Sequence, residues 1–234
     1  MIQQNLLEIK QNIAQIAAKN ERKIVAIKLV AVSKTYPYTA IKSAMEIGQL
    51  DFGENRPQEM LEKYETLQSE NAKLYEQIQW HLIGQLQRNK VKYIAPFVHL
   101  IHSVDSEKLL QEIDRQANTH KRTIDCLLQM NISDEAQKSG MEENEAEVIL
   151  HQISNFPNIR IRGLMGMAAF TDDKALIRAQ FRRLCLAKER FSRFENAQIE
   201  MKELSMGMSG DYEIAIEEGA TLIRIGTAIF GGRH

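Results

Sequence analysis

The sequence predicts an α/β fold, a closed (β/α)8 barrel of parallel strands, and three observations carry that prediction. Eight short β-branched or apolar runs, each ending in polar or small residues, alternate with segments whose apolar residues fall at helical spacing. The last two runs, at 204–208 and 221–226, each lead into a cluster of Gly, Ser or Thr. A barrel of this type binds phosphate with its last two βα-loops. The chain has 234 residues, close to the ~250 typical of one such domain, so a single domain over 1–234 is expected.

The elements follow in order. Residues 1–20 form an amphipathic helix, because Ile2, Leu6, Ile9, Ile13 and Ile16 share one face; it is expected outside or beneath the barrel. The strands are expected at 29–34, 50–55, 80–84, 99–104, 125–132, 161–167, 204–208 and 221–226. Helices are expected at 39–48, 57–78, 89–94, 106–118, 143–154, 173–194 and 209–218. Pro57 suits a first helical turn, Ser106 suits an N-cap, and Gly48 and Gly219 suit helix ends.

Composition bounds the function. Hydrophobic residues make up 44% and charged residues 26%, ordinary for a soluble protein with a full core. The net charge of −1 gives no reason to expect a nucleic-acid or anionic-membrane partner, which would favour a basic patch. The N-terminus lacks a basic segment followed by an apolar one, and no apolar run approaches the ~18 residues of a membrane span. A cytoplasmic location is expected. Cys126 and Cys185 lack metal or redox spacing and read as core thiols. His99 and His102, three apart on a strand, should face opposite sides, so no metal site is expected. Met165, Met167, Met206 and Met208 read as core filling, and 59–76 as a solvated helix face.

The chemistry gathers at the strand ends. By alternation, Arg224 and Gly226 share the inward face of the last strand while Ile223 and Ile225 face the helices. Ser205 and Gly207 are likewise inward, opposite Leu204 and Met206. Backbone N–H groups near these glycines can approach an anion. In the first strand, Lys34 ends a face formed below it by Val30 and Val32. Closure of the barrel brings Arg224 beside it, disfavouring the ammonium form and making the amine a better nucleophile toward a carbonyl. Asn55 ends the second strand and can give or take a hydrogen bond; its ordinary role would be to cap the loop before Pro57. A lysine, an arginine and a phosphate cradle fit pyridoxal 5′-phosphate (PLP), with its aldehyde, ring nitrogen and phosphate. The alternative is a lysine-dependent aldolase holding a sugar phosphate; the cofactor is favoured because Arg224 fits its ring nitrogen, although an arginine there could also grip a substrate.

Particular segments carry a family resemblance: Val30-Ala-Val-Ser-Lys-Thr35, Phe52-Gly-Glu-Asn55, Trp80-His-Leu-Ile-Gly84, Leu86-Gln87 with Asn89-Lys90, Asn131-Ile132 with Lys138-Ser-Gly140, Arg162-Gly-Leu-Met165, and the stretches 203–211 and 221–231. In these, almost the whole chain resembles the pyridoxal 5′-phosphate homeostasis proteins, which share the barrel of alanine racemase's N-terminal domain. The resemblance implies that Lys34 carries PLP as an internal aldimine and that Arg224 faces the ring nitrogen. It implies that Ser205, Gly226 and Thr227 hold the phosphate, that Met208 and Ser209 contribute from the same loop, and that Asn55 belongs to the site. Asp211 is expected to point away from the phosphate.

The implied function is to hold PLP and release it to apo-enzymes or vitamin B6-recycling enzymes, with no catalytic residue and a monomeric state. The alternative is a weak racemase or lyase of the same fold. A racemase needs a second acid or base, which alanine racemase takes from a β-rich domain after the barrel; here the last strand is followed only by a short tail ending Gly232-Arg-His234. An arginine at the ring nitrogen also weakens the electron sink. Gln85 and Arg88 depart from the family pattern in the loop after the third strand and bear on contacts beyond the cofactor.

Overall fold

The computed structural model describes residues 1–133 and 140–232. Eight parallel strands close a barrel in sequence order: β1 (Lys28–Val32), β2 (Asp51–Glu54), β3 (Gln79–Leu82), β4 (Leu100–Val104), β5 (Ile124–Gln129), β6 (Ile159–Met165), β7 (Ile199–Ser205) and β8 (Leu222–Ile225), with β8 pairing β1. The helices are α1 (Ile2–Lys19), α2 (Tyr38–Met45), α3 (Pro57–Tyr75), α4 (Val91–Ile94), α5 (Glu107–Thr119), α6 (Glu143–His151), α7 (Lys174–Phe191), α8 (Tyr212–Glu217) and α9 (Thr227–Phe230). Among the described residues no helix is long and apolar enough to cross a membrane.

Alternation along the strands splits the apolar residues into two layers. Outward side chains such as Phe52, Trp80, Leu204, Ile223 and Ile225 join the helices in the main core. Inward ones, Val30, Leu100, Leu127, Met165 and Leu222, form a small apolar plug inside the barrel. Helix α1 buries Leu6, Ile9, Ile13 and Ala17 on the outside of the barrel against α2, α8 and α9. The Asn5 amide ties it there by donating to the Ile229 carbonyl.

Several boundaries differ from the sequence expectation for identifiable reasons. Strand β7 begins at Ile199 rather than 204, because a bulge breaks its alternation: Ile161 pairs Ile199, yet Gly163 pairs Glu203. The bulge requires Gly163, which has φ +145 and would place a Cβ 2.0 Å from the Glu203 carbonyl oxygen. The same strand ends at Ser205 because Gly207, at φ +90, turns the chain. Helix α3 is interrupted at Asn71 (φ −162, ψ 87), and α9 was not anticipated. Gly48 (φ +77) and Gly219 (φ +104) end helices as expected. Ser106 occupies the N-cap of α5 but forms no capping bond; its hydroxyl reaches Asp105 instead. Asp173 does cap α7, accepting from the Ala175 and Leu176 N–H groups. Cys126 is buried, and Cys185 is half-buried with its thiol donating to the Glu218 carbonyl.

Candidate active site at the C-terminal mouth

Lys34 lies in the turn that follows β1 and is half-buried. The pairing of Val30 with Arg224 and Ala31 with Ile225 sets it at the same mouth as the residues after β8. Side chains from α3 hold the turn from behind. Lys63 Nζ donates to the Ser33 carbonyl (2.8 Å), to Glu54 Oε1 (2.7 Å) and to Glu59 Oε1 (2.8 Å). Glu59 also accepts from the Thr35 N–H (2.6 Å), and Ser33 Oγ donates to Glu54 (2.7 Å). Thr35 itself takes φ +67. On the other side the Tyr36 hydroxyl donates to the Gly231 carbonyl, and its ring packs on Phe230 at 5.1 Å.

Within 59–76, read as a solvated face, Glu62, Glu65, Glu70, Lys73 and Glu76 are exposed as expected, and Lys63 is the exception, its side chain 7% exposed and facing the barrel. Burial pushes the Glu54 carboxyl up to about 7, against the pull of Lys63, and its Oε2 is buried with no hydrogen-bond partner. The signal in the sequence was the Glu59/Lys63 spacing together with an acid ending an apolar strand.

Arg224 is almost wholly buried. Its Nη1 donates to Ser205 Oγ (2.5 Å) and its Nη2 to the Gly166 carbonyl (3.3 Å). Burial lowers the guanidinium to about 10, with Asp211 opposing, so it keeps its charge at neutral pH. Ser205 is fully buried and on its far side meets His102 Nδ1 at 2.7 Å. The expectation that Ser205 contacts phosphate is therefore corrected: alternation placed it on the right face but too deep, where it supports Arg224. His102 Nε2 lies 2.9 Å from His81 Nδ1, and His81 Nε2 lies 3.0 Å from Asp51 Oδ1.

The expectation for His99 and His102 is also corrected. Both rings pack against His81, at 5.4 and 5.1 Å, because residue 99 lies in the bend before β4, where strand alternation does not bind. Among the described residues no group of three or more His, Cys, Asp or Glu side chains is arranged to hold a metal ion.

The two terminal loops meet at the mouth, where Thr227 Oγ1 and Ser209 Oγ are 3.3 Å apart. First-turn N–H groups of α9, including that of Thr227, have no intrahelical acceptor. Gly226 does not open the site in the expected way: a Cβ there would point at Val32, 3.2 Å from its carbonyl oxygen, so the glycine lets the end of β8 press on β1. Met208, expected in the core, is 39% exposed at the rim. Its N–H donates to Asp211 Oδ1 (2.5 Å), which turns that carboxylate back into its own loop. Asn55 follows β2 and is half-buried, with Gly84 packed so closely that a Cβ would sit 2.4 Å from the Asn55 carbonyl oxygen. Gln85 and Arg88 are exposed; Arg88 lines a polar groove beside α5 with Glu112, Arg115 and Asn158. Lys138 lies outside the described residues.

The mouth thus combines an amine, a buried guanidinium and paired hydroxyls, a set able to engage a carbonyl, a basic ring nitrogen and a phosphate. Known proteins share this architecture. Residues 4–234 match the family described as alanine racemase, N-terminal domain. The chain is 41% identical over 233 residues to the pyridoxal phosphate homeostasis protein of Pasteurella multocida, covering 99% of this chain and 97% of that one. A crystal structure of an unknown protein from Bifidobacterium adolescentis is similar with a TM-score of 0.90 and 36% identity, covering 98% of this chain and 94% of that one. PipY of Synechococcus elongatus with PLP bound is similar with a TM-score of 0.79 and 37% identity, covering 94% and 100%. Alanine racemase from Streptomyces coelicolor, at 15% identity and a TM-score of 0.69, shares the fold over 59% of its length. The chain belongs to the pyridoxal phosphate homeostasis protein family, within the wider family of the alanine racemase N-terminal domain.

Proposed function

We propose that this protein binds PLP at the C-terminal mouth through Lys34 and serves cytoplasmic PLP homeostasis, releasing the cofactor to apo-enzymes or vitamin B6-recycling enzymes. The observation that carries the reading is the buried Arg224 guanidinium on β8, a strand that pairs with β1 below Lys34 and leads directly into Thr227, itself 3.3 Å from Ser209. The donor set fits the group: an amine for its aldehyde, a permanent donor for its ring nitrogen, and hydroxyl and N–H donors for its phosphate. The names of the relatives and the PLP bound to PipY support the same reading.

When bound, PLP supplies an electrophilic carbon and a ring that can accept electrons. The residues of this chain bind and restrain it. Lys34 provides the covalent attachment, Ser209, Thr227 and the backbone at Gly226 hold the phosphate, and Met208 borders it from the same loop as Ser209. Asn55 borders the ring, while Ser205 holds Arg224. Arg224 can only donate, so a ring nitrogen facing it stays unprotonated and the ring is a weak electron sink. The tyrosine nearest Lys34, Tyr36, has its hydroxyl committed to Gly231, and no catalytic residue is assigned. Borohydride reduction of the PLP-loaded protein followed by peptide mass mapping tests the site: the adduct should sit on Lys34 and vanish in Lys34→Ala. An adduct on Lys42 or Lys90 in the wild type would overturn the assignment.

A further inference from the structure

Inside the barrel, beneath the proposed ligand, runs a line of polar groups that the binding role alone does not account for. It begins at Arg224 and passes through Ser205, His102 and His81 to Asp51. Asp51 opens β2, so it sits at the N-terminal end of the barrel, where Lys28 Nζ lies 3.5 Å away. Ser205, His102 and His81 are fully buried, and Arg224 is 4% exposed.

The ends of this line fix its protons. A guanidinium can only donate, so Ser205 Oγ accepts from Arg224 and has its own hydrogen to give. The acceptor for that hydrogen is His102 Nδ1, which makes His102 the neutral Nε2–H form. His102 then donates to His81 Nδ1, leaving the His81 proton on Nε2, where it donates to Asp51. An ionised carboxylate can only accept, so the assignment made from Asp51 inward is the same one made from Arg224 outward. All four bonds run in one direction with both imidazoles neutral. A second proton on His81 would bring two N–H donors face to face across the 2.9 Å contact, and one on His102 would turn its Nδ1 from acceptor to donor toward Ser205. Burial also lowers the pKa of both histidines, strongly for His102, with Asp51 pulling back on His81.

We infer that Asp51, His81 and His102 are positioning residues for the cofactor site, forming a relay that sets the orientation of Arg224 from the opposite end of the barrel. The inference rests on the PLP reading of the mouth. Without the Asp51 acceptor, His81 can move its proton to Nδ1 and His102 can follow, presenting an N–H to Ser205. The serine hydrogen then loses its acceptor, and the oxygen that receives Arg224 must be shared with a competing donor. The guanidinium shifts although nothing near the ligand has been changed.

The test has a readout that needs no cofactor. Long-range ¹H–¹⁵N NMR of the imidazoles in the PLP-free protein should show His81 and His102 neutral, each with its proton on Nε2. Asp51→Leu should disturb that pattern, weaken PLP binding by about tenfold, as for one lost charge-assisted bond, and shift the visible band of the bound cofactor. Asp51→Asn keeps an acceptor and should remain within about twofold of wild type. Charged or Nδ1–H histidines in the wild type would overturn the relay, as would Asp51→Leu that folds and keeps both affinity and band. Should Asp51→Leu fail to fold, the wild-type tautomers and the Asp51→Asn affinity still decide. A wild type that binds no PLP overturns the site reading itself, whereas wrong tautomers in a protein that binds PLP overturn the relay alone.

Discussion

Thr227 and Ser209 reach the mouth from different loops, and their hydroxyls are 3.3 Å apart. Neither is buried, so each can turn toward an anion without losing a structural partner in the core. A hydrogen bond to a charged group contributes about 1.5–3 kcal/mol, which is roughly tenfold or more in affinity. Thr227→Val should therefore weaken PLP by at least about tenfold while leaving the weaker binding of unphosphorylated pyridoxal unchanged. Titration of both compounds checks this, and equal losses for the two would remove Thr227 from the phosphate contact. Thr227 comes from the family resemblance, whereas sequence alternation sets Lys34 and Arg224 on inward faces that barrel closure brings to one mouth. Alternation could not separate Ser205 from Ser209, because a face says nothing of depth: Ser205 is fully buried under Arg224, whereas Ser209 stands at the rim. His81 stands out only within the Trp80–Gly84 segment and His102 only beside His99, and barrel closure is what joins their rings.

The turn bearing Lys34 depends on the helix behind it. Lys63 of α3 spans Ser33, Glu54 and Glu59, and the Lys63 and Glu54 side chains are 7% and 0% exposed. Breaking a buried pair by removing one partner costs about 3–5 kcal/mol, because the remaining charge is left desolvated. Lys63→Met should lower unfolding stability by about that amount and loosen the turn, since the Ser33 carbonyl loses its donor as well. The double variant Lys63→Met with Glu54→Leu should recover much of the loss, as apolar replacement of a buried pair often does. Urea denaturation of the three proteins is the measurement, and a cost near zero for Lys63→Met would mean the clamp is dispensable. Helix periodicity could place α3 but hid this inward lysine, because the surrounding stretch is so rich in charge. Strand β7 was obscured by its own bulge: between Ile161 and Gly163 of β6 the partner strand advances from Ile199 to Glu203, and period-two patterning fails there.

At the scale of the whole barrel, the buried polar interior sets the response to acid. His81, His99 and His102 all have pKa values lowered by burial, His99 to about 4 and His102 well below its ordinary value. For each, the unfolded chain binds a proton at a higher pH than the native state does. Stability contributed by keeping them neutral is therefore present above about pH 6.5 and lost as pH falls below it. Glu54 acts in the opposite sense: its folded pKa is raised from 4.5 to about 7, so the native state binds its proton first and gains stability as pH falls from 7 toward 4.5. Three histidines outweigh one glutamate in the shared window, and each excess proton on the unfolded chain gives a slope of about 1.4 kcal/mol per pH unit at most. Chemical-denaturation midpoints should fall steadily from pH 6.5 to 4.5. The fall should steepen in Glu54→Gln, which removes the opposing group, and become shallower in His99→Gln, which removes one of the three. Midpoints that rise over this interval in the wild type would show that the imidazoles are already charged in the native barrel, and the one-directional line of hydrogen bonds from Arg224 to Asp51 could not then exist.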